Sequence, residues 1–212
     1  MYLLCIGNFR LTALILDISK GYTYSEDKMA FVNFIGAPCS GKTTVAAGIF
    51  SRLKKYGMAA EYVSEYARRH IAAGLGKLWD DDQICIMQNQ LHEENLFLHN
   101  STVITDSCVA NSLLYLKDKN RHDASMYYDK ALGRANGIYF YCQQVPIPFI
   151  QDPNRIHNQE QISVLEEDCK NLVAKIQKDY PKLKIHTLSE MDVDRRIDTA
   201  IGIVLQESIK LC

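Results

Sequence analysis

A three-layer α/β fold, with about five parallel strands covered by helices, is what this sequence predicts. Three observations carry the prediction. Short runs rich in β-branched and aromatic residues alternate along the chain with helical patterns. Helical connections return the chain to a parallel neighbour, so helices must cover both sheet faces. Finally, 212 residues with 47% hydrophobic content can bury one core of domain size.

Each element follows from its local pattern. Ala30 to Ile35 is a buried strand that stops at Gly36. Thr44 to Tyr56 spaces Val45, Ile49 and Leu53 four residues apart on one helical face, and Gly57 ends it. Ala59 to Val63 is a second strand, ending at Ser64 and Glu65; a short helix over Tyr66 to Ala73 follows, closed by Gly74 and Gly76. Asp80 to His99 is a long helix with Ile84, Met87, Leu91 and Leu98 on one face. Its first residues, Asp80, Asp81 and Asp82, suit the positive end of the dipole. Thr102 to Thr105 is a third strand ending at Asp106, with a helix over Asn111 to Lys117 after it. Ile138 to Tyr141 is a strand, and Pro146, Pro148 and Pro153 make the next stretch a loop. Gln159 to Tyr180 is helical up to Pro181, and Leu183 to Thr187 is the last strand. Val193 to Leu211 then closes the chain with Ile197, Ile201, Val204 and Leu205 inward.

The bulk properties remove several function classes. A formal net charge of −1, from 24 basic and 25 acidic side chains, sets up no global field for polyanions, so no extended nucleic-acid surface is expected. Seven cysteines, none at CxxC spacing, disfavour zinc ribbons and redox motifs and fit a reducing, cytoplasmic compartment. No apolar run approaches the ~20 residues that span a bilayer. Tyr2 to Ile6 and Leu11 to Leu16 are apolar, yet Asn8 and Arg10 interrupt them and no small-residue cleavage site follows, so a signal peptide is not expected. Residues 1–28 read either as an added strand or hairpin, on the rhythm Phe9, Leu11, Ala13, Ile15, or as sequence upstream of a natural start at Met29. Residues 29–212 then form the domain proper. A homo-oligomer is left open.

Gly36-Ala37-Pro38-Cys39-Ser40-Gly41-Lys42-Thr43 matches GxxxxGK[ST] in full. Such a match arises by chance in roughly one protein in a hundred. Here it also follows a strand and opens a helix at Thr44, as a phosphate-binding turn requires. Gly36 and Gly41 permit a backbone that turns successive N–H groups inward, and the helix end adds positive potential. Lys42 would reach the β- and γ-phosphates of ATP, and the Thr43 hydroxyl would ligate Mg²⁺.

The remaining residues have to select the reaction. Asp106 closes the third strand at the sheet's carboxyl edge, where ligands of open α/β folds sit. It can hold Mg²⁺ or meet the acceptor; the plainer reading is a helix cap. Glu65 closes the second strand, placed to orient an acceptor hydroxyl or take its proton, or else to pair with Arg68 or Arg69. Either arginine can bind an anionic part of the acceptor or face solvent. The proline-rich segment near 145–160, with Asp152 and Arg155, is where a lid belongs, and Arg155 would neutralise the transferring phosphoryl group. Arg134 is a further lid candidate. His92 and His99 are too far apart axially to share a metal. Gln88 and Gln90 are placed to read a nucleobase, although glutamines on such a helix usually face water. Tyr127 and Tyr128 read as packing, and Trp79 as packing or a substrate-stacking ring.

Taken together, Phe31 to Thr44, Ser64-Glu65-Tyr66-Ala67-Arg68, Thr105-Asp106-Ser107 and Asp152-Pro153-Asn154-Arg155 resemble the NadR-like AAA domain group of P-loop kinases. That group includes ribosylnicotinamide kinase domains and lies close to small phage-encoded ATPases of nucleoside or nucleotide kinase type. The resemblance implies that Glu65 and Arg68 line the acceptor site, that Asp106 serves Mg²⁺ or the acceptor, and that Arg155 comes from the lid. Ser107-Cys108 after Asp106 departs from the Asp-Thr-Asp run of ribosylnicotinamide kinases, and the lid carries fewer arginines than in many nucleotide kinases. The expected activity is transfer of the γ-phosphoryl of ATP, with Mg²⁺, to a small nucleoside, nucleotide or nicotinamide riboside. The alternative is a non-kinase AAA-type ATPase or a nucleotide-sensing, partner-binding switch.

Overall fold

The computed structural model describes residues 29–75, 79–116, 121–134, 136–145 and 158–210. The expected N-terminal hairpin and the lid segment with Asp152 and Arg155 lie outside the described residues. Five strands are described: β1 (Phe31–Ile35), β2 (Ala60–Val63), β3 (Thr102–Thr105), β4 (Gly137–Cys142) and β5 (Ile185–Leu188). They form one parallel sheet in the order β2-β3-β1-β4-β5. β1 is central, pairing Phe31 with Val103 on one side and with Gly137 on the other. The chain leaves β1 for β2 on one flank, while β4 and β5 fill the other. That reversal opens a crevice at the carboxyl end of β1.

The period-two alternation of the strands sorts side chains onto the two faces. Val32 and Phe34 of β1, with Ile138 and Phe140 of β4, meet one pair of helices, α1 (Lys42–Lys55) and α6 (Val193–Lys210). The rings of Phe34 and Phe140 stack with centroids 5.3 Å apart. Val45, Ala46, Ile49 and Leu53 of α1 and Ile197, Ala200, Ile201 and Val204 of α6 complete that core. On the opposite face Ile35, Tyr139 and Tyr141 pack against α4 (Arg121–Leu132) and α5 (Gln159–Asp179). There α3 (Trp79–Asn95) joins α4 through Met87, Leu91, Ala124 and Ala131. Truncating a fully buried residue such as Ile49 would cost about 2–5 kcal/mol.

Two expectations need correction. The helix expected over Asn111 to Lys117 is a 3-10 helix at Val109–Leu114. Cys108 N–H donates to Phe34 O at 2.8 Å, and the Asn111 side chain donates to the same carbonyl at 3.1 Å, so the segment is anchored across to β1 instead of winding freely. The second correction is α4, which the pattern reading passed over. Its inward face is Ala124, Tyr127, Tyr128, Ala131 and Leu132, helical spacing written in small and amphipathic residues. Tyr128 does pack, its ring 5.7 Å from that of Tyr180. The short helix α2 spans Tyr66–Ala72. No helix among the described residues is long and apolar enough to cross a membrane.

Candidate active site

The loop between β1 and α1 has the backbone that its glycines permit. Gly41 takes φ 89° at the helix N-cap, and Cys39, a non-glycine, takes φ 67°. Gly36 is required for a different reason: a Cβ there would lie 2.6 Å from Cys142 O on the neighbouring strand. No side chain caps α1 and no acid sits in its first turn, so its leading amides stay directed at the crevice. Ala37 and Ser40 are buried under the loop, Pro38 and Cys39 are half-buried, and Thr44 faces solvent on the first turn. The Lys42 ammonium folds back over the loop and donates to Gly36 O and Ala37 O, both at 2.8 Å.

Asp106 stands beside this loop, 3% exposed. Its Oδ2 accepts hydrogen bonds from Thr43 Oγ1 at 2.9 Å and Tyr62 OH at 2.8 Å. Its Oδ1 is buried with no partner. An orphaned carboxylate oxygen next to a hydroxyl, at the mouth of a phosphate-binding loop, fits a hard divalent cation such as Mg²⁺. Among the described residues no group of three or more His, Cys, Asp or Glu side chains could cage a metal. Burial, reinforced by the Asp106 charge, pushes the Tyr62 phenol well up, so it stays a donor.

Glu65, at the end of β2, is half-buried at the same edge. It precedes α2 without capping it. Gln90 does that instead, accepting from Tyr66 N–H at 2.7 Å. The Glu65 carboxylate therefore points to the crevice, 3.5 Å from the Ser107 hydroxyl that donates to it. Burial pushes its pKa up and Asp106 adds to the rise, while Lys42 and Arg68 pull it down. Arg68 thus lies within electrostatic reach of Glu65; Arg69 is committed to an ion pair with Glu93 and lies over the Tyr66 ring. Arg134 is nowhere near. It stacks on Phe31 at 3.7 Å and pairs with Glu94 at 2.9 Å, at the start of β1 and the opposite end of the sheet. It is therefore not a lid residue. His92 and His99 are exposed.

Arg196, on α6, is a residue that the sequence reading missed. It is 3% exposed and donates from Nη1 to Ser40 O at 2.7 Å and from Nη2 to Gln143 O at 2.8 Å, with a further bond from Nε to Glu190 O. Three carbonyls from three loops are tied by one guanidinium, which fixes the phosphate-binding loop against the ends of β4 and β5. The available signal was an arginine adjoining the inward stripe of Ile197, Ala200, Ile201 and Val204. Tyr62 was missed as well, its cue being a polar tip near the end of a strand.

A protein-family model described as an AAA domain matches residues 31–190. Among solved structures, deoxyadenosine kinase from M. mycoides with bound dCTP is similar at 14% identity and TM-score 0.53, over 83% of this chain and 99% of that one. The same enzyme with bound dATP gives 14% identity and TM-score 0.51, over 83% and 99%. The Mycobacterium tuberculosis APS kinase CysC in complex with AMPPNP and APS gives 16% identity and TM-score 0.47, over 84% and 98%. At such identities the likeness is one of fold, the parallel sheet and phosphate loop of P-loop kinases. Comparison with curated proteins finds none that matches.

Proposed function

We propose, from the premise that this chain belongs to the AAA domain family, that it is a P-loop phosphotransferase. It moves the γ-phosphoryl of ATP to a small nucleoside, nucleotide or nicotinamide riboside. One observation carries the reading. Asp106 offers a buried, unpartnered oxygen beside Thr43 and the phosphate loop, and Glu65 faces the same crevice from the next strand. A site built only to hold nucleotide has no use for a second, half-buried carboxylate there.

Each residue has a task. The loop N–H groups from Cys39 to Thr44 and the Lys42 ammonium bind the phosphates, with Lys42 exchanging two carbonyl oxygens for phosphate oxygens. Thr43 Oγ1 and Asp106 Oδ1 would hold Mg²⁺, whose contribution is to neutralise phosphate charge. Glu65 accepts the proton of the acceptor hydroxyl. As it does so, the hydroxyl oxygen bonds to the γ-phosphorus and the bond to the bridging oxygen of ADP breaks. Burial raises the proton affinity of this carboxylate, which strengthens it as an acceptor for the hydroxyl proton while it is ionised. Arg68 would meet an anionic part of the acceptor. Arg155, outside the described residues, would close over the transferring group.

Incubation with ATP, Mg²⁺ and a panel of nucleosides, monophosphates and nicotinamide riboside, followed by mass spectrometry, tests the reading. A phosphorylated acceptor is the expected product. ATP consumed with no such product would instead favour the ATPase or switch, and ATP bound but not consumed a sensor.

A further inference from the structure

Beside Glu65 a slot runs inward between α2, α3 and the 3-10 helix, lined by Glu65, Gln83, Ser107, Asn111 and Tyr115 among others. It measures about 320 Å³ including its open mouth, and little of that is enclosed. Two side chains in its lining are polar, buried and incompletely satisfied. Gln83 is 1% exposed and its Nε2 has no partner. Asn111 is 7% exposed and its Oδ1 has no partner.

The orientation of Asn111 is set by its other end. Nδ2 donates to Phe34 O at 3.1 Å and to Ser107 Oγ at 3.2 Å. A carbonyl can only accept, so the amide nitrogen must face Phe34, and the oxygen is left over. Gln90, on the same helix as Gln83, makes the contrast. Its oxygen accepts from Tyr66 N–H, and its nitrogen donates to Glu94 at 3.1 Å and Thr105 at 3.0 Å, so it is spent on structure. Gln88 is exposed. A buried amide donor and a buried amide acceptor without a protein partner are costly unless a ligand, or a water that a ligand can displace, completes them.

We infer that Gln83 and Asn111 read the acceptor through a flat edge carrying a hydrogen-bond acceptor beside a donor, as on a nucleobase or a carboxamide. The inference rests on the phosphotransferase reading for the role of the slot, since the hydroxyl to be phosphorylated would lie at Glu65 and the edge would point inward from it. Acceptors with the sugar alone lack what the slot recognises. Discrimination against them should be large, because they leave both buried amides unpaired.

Calorimetry and steady-state kinetics on the full chain, with a non-hydrolysable ATP analogue and Mg²⁺ for the binding arm, decide it. The probes are the ribo- and deoxyribonucleosides, nicotinamide riboside, nicotinic acid riboside (no donor on its carboxylate) and methyl β-riboside (no edge at all). At least one edge-bearing compound should bind, with methyl β-riboside about 100-fold weaker or worse. Preference for nicotinamide riboside over nicotinic acid riboside identifies a carboxamide, and preference for one nucleoside identifies a base. Gln83→Leu and the isosteric Gln83→Glu should each raise KM for the acceptor about 10- to 100-fold, with kcat within a few-fold and ATP affinity unchanged. Equal binding of methyl β-riboside, or an unaltered KM in both variants, would overturn the inference. Should no acceptor be phosphorylated, the phosphotransferase reading falls, and the binding arm still decides: Gln83-dependent binding upholds the edge, and no binding of any edge-bearing compound defeats it.

Discussion

The two ends of the parallel sheet are built on opposite principles. At the amino end Arg134 stacks on Phe31, pairs with the fully buried Glu94 and donates to Asn95 at 3.0 Å, and Glu94 also accepts from Gln90. The Arg134 and Glu94 charges there satisfy each other. At the carboxyl end Ser40 Oγ, Asp106 Oδ1 and Asn111 Oδ1 are buried without partners, and Cys39 holds a left-handed backbone. Cavity size points the wrong way. The larger cavity, about 1430 Å³ including its open mouth, lies at the amino end by Leu132, Tyr180 and His186, and none of its lining residues has an orphaned buried polar atom. Unmet hydrogen-bonding need, more than volume, separates the two cavities here. The amino end is therefore built for stability, the carboxyl end is the one the proposed chemistry would use, and each can be broken separately.

The sharpest break is Lys42→Met. Phosphoryl transfer should fall by about 1000-fold or more, while the thermal midpoint moves by no more than about 2 °C, checked by a coupled assay and calorimetric melting. Asp106→Asn should lower transfer about 100- to 1000-fold and leave ATP affinity within a few-fold, since it removes charge from the cation site and keeps the hydrogen-bonding shape. Full activity in Asp106→Asn would remove that residue from the proposed mechanism. Arg134→Met inverts the pattern. It strands a buried carboxylate and should cost about 3–5 kcal/mol in urea unfolding, with unchanged transfer per folded molecule.

The smallest effect is the pH dependence of the amino end. Burial pushes the Glu94 carboxyl up to about 7, although Arg134 and Gln90 oppose the shift. Between about pH 4.5 and pH 7 the native state keeps a proton that the unfolded chain releases. Stability should therefore fall across that window as pH rises, by up to about 3 kcal/mol. Glu94→Gln should flatten this part of the profile. A profile unchanged by that substitution would show that the Arg134 pair already keeps Glu94 ionised.

What could be read in advance follows the same division. The phosphate loop was legible because eight consecutive residues carry all of its geometry, and Glu65 and Asp106 because strand ends fix where side chains emerge. The strands announced themselves as short apolar, β-branched and aromatic runs, whose alternate side chains sort onto the two faces of the sheet. Arg196 was not legible: it reaches Ser40 from 156 positions away, and only packing of α6 on α1 brings the two together. Gln83 and Asn111 escaped for a related reason, since an unpaired amide is defined by what surrounds it. Arg134 was misplaced because nothing in its local sequence tells which edge of the sheet it will meet. The helix α4 was readable in principle, its stripe disguised by alanine and tyrosine.

Lys42 occupies an unusual position for a cation that awaits a partner. With two backbone oxygens 2.8 Å away, it is already solvated by its own loop. An incoming triphosphate does not rescue a stranded charge; it swaps one set of oxygens for another, and the net gain is a difference between two good states. In the proposed reaction the same two carbonyls would take the ammonium back as the nucleotide, one phosphate shorter after transfer, departs.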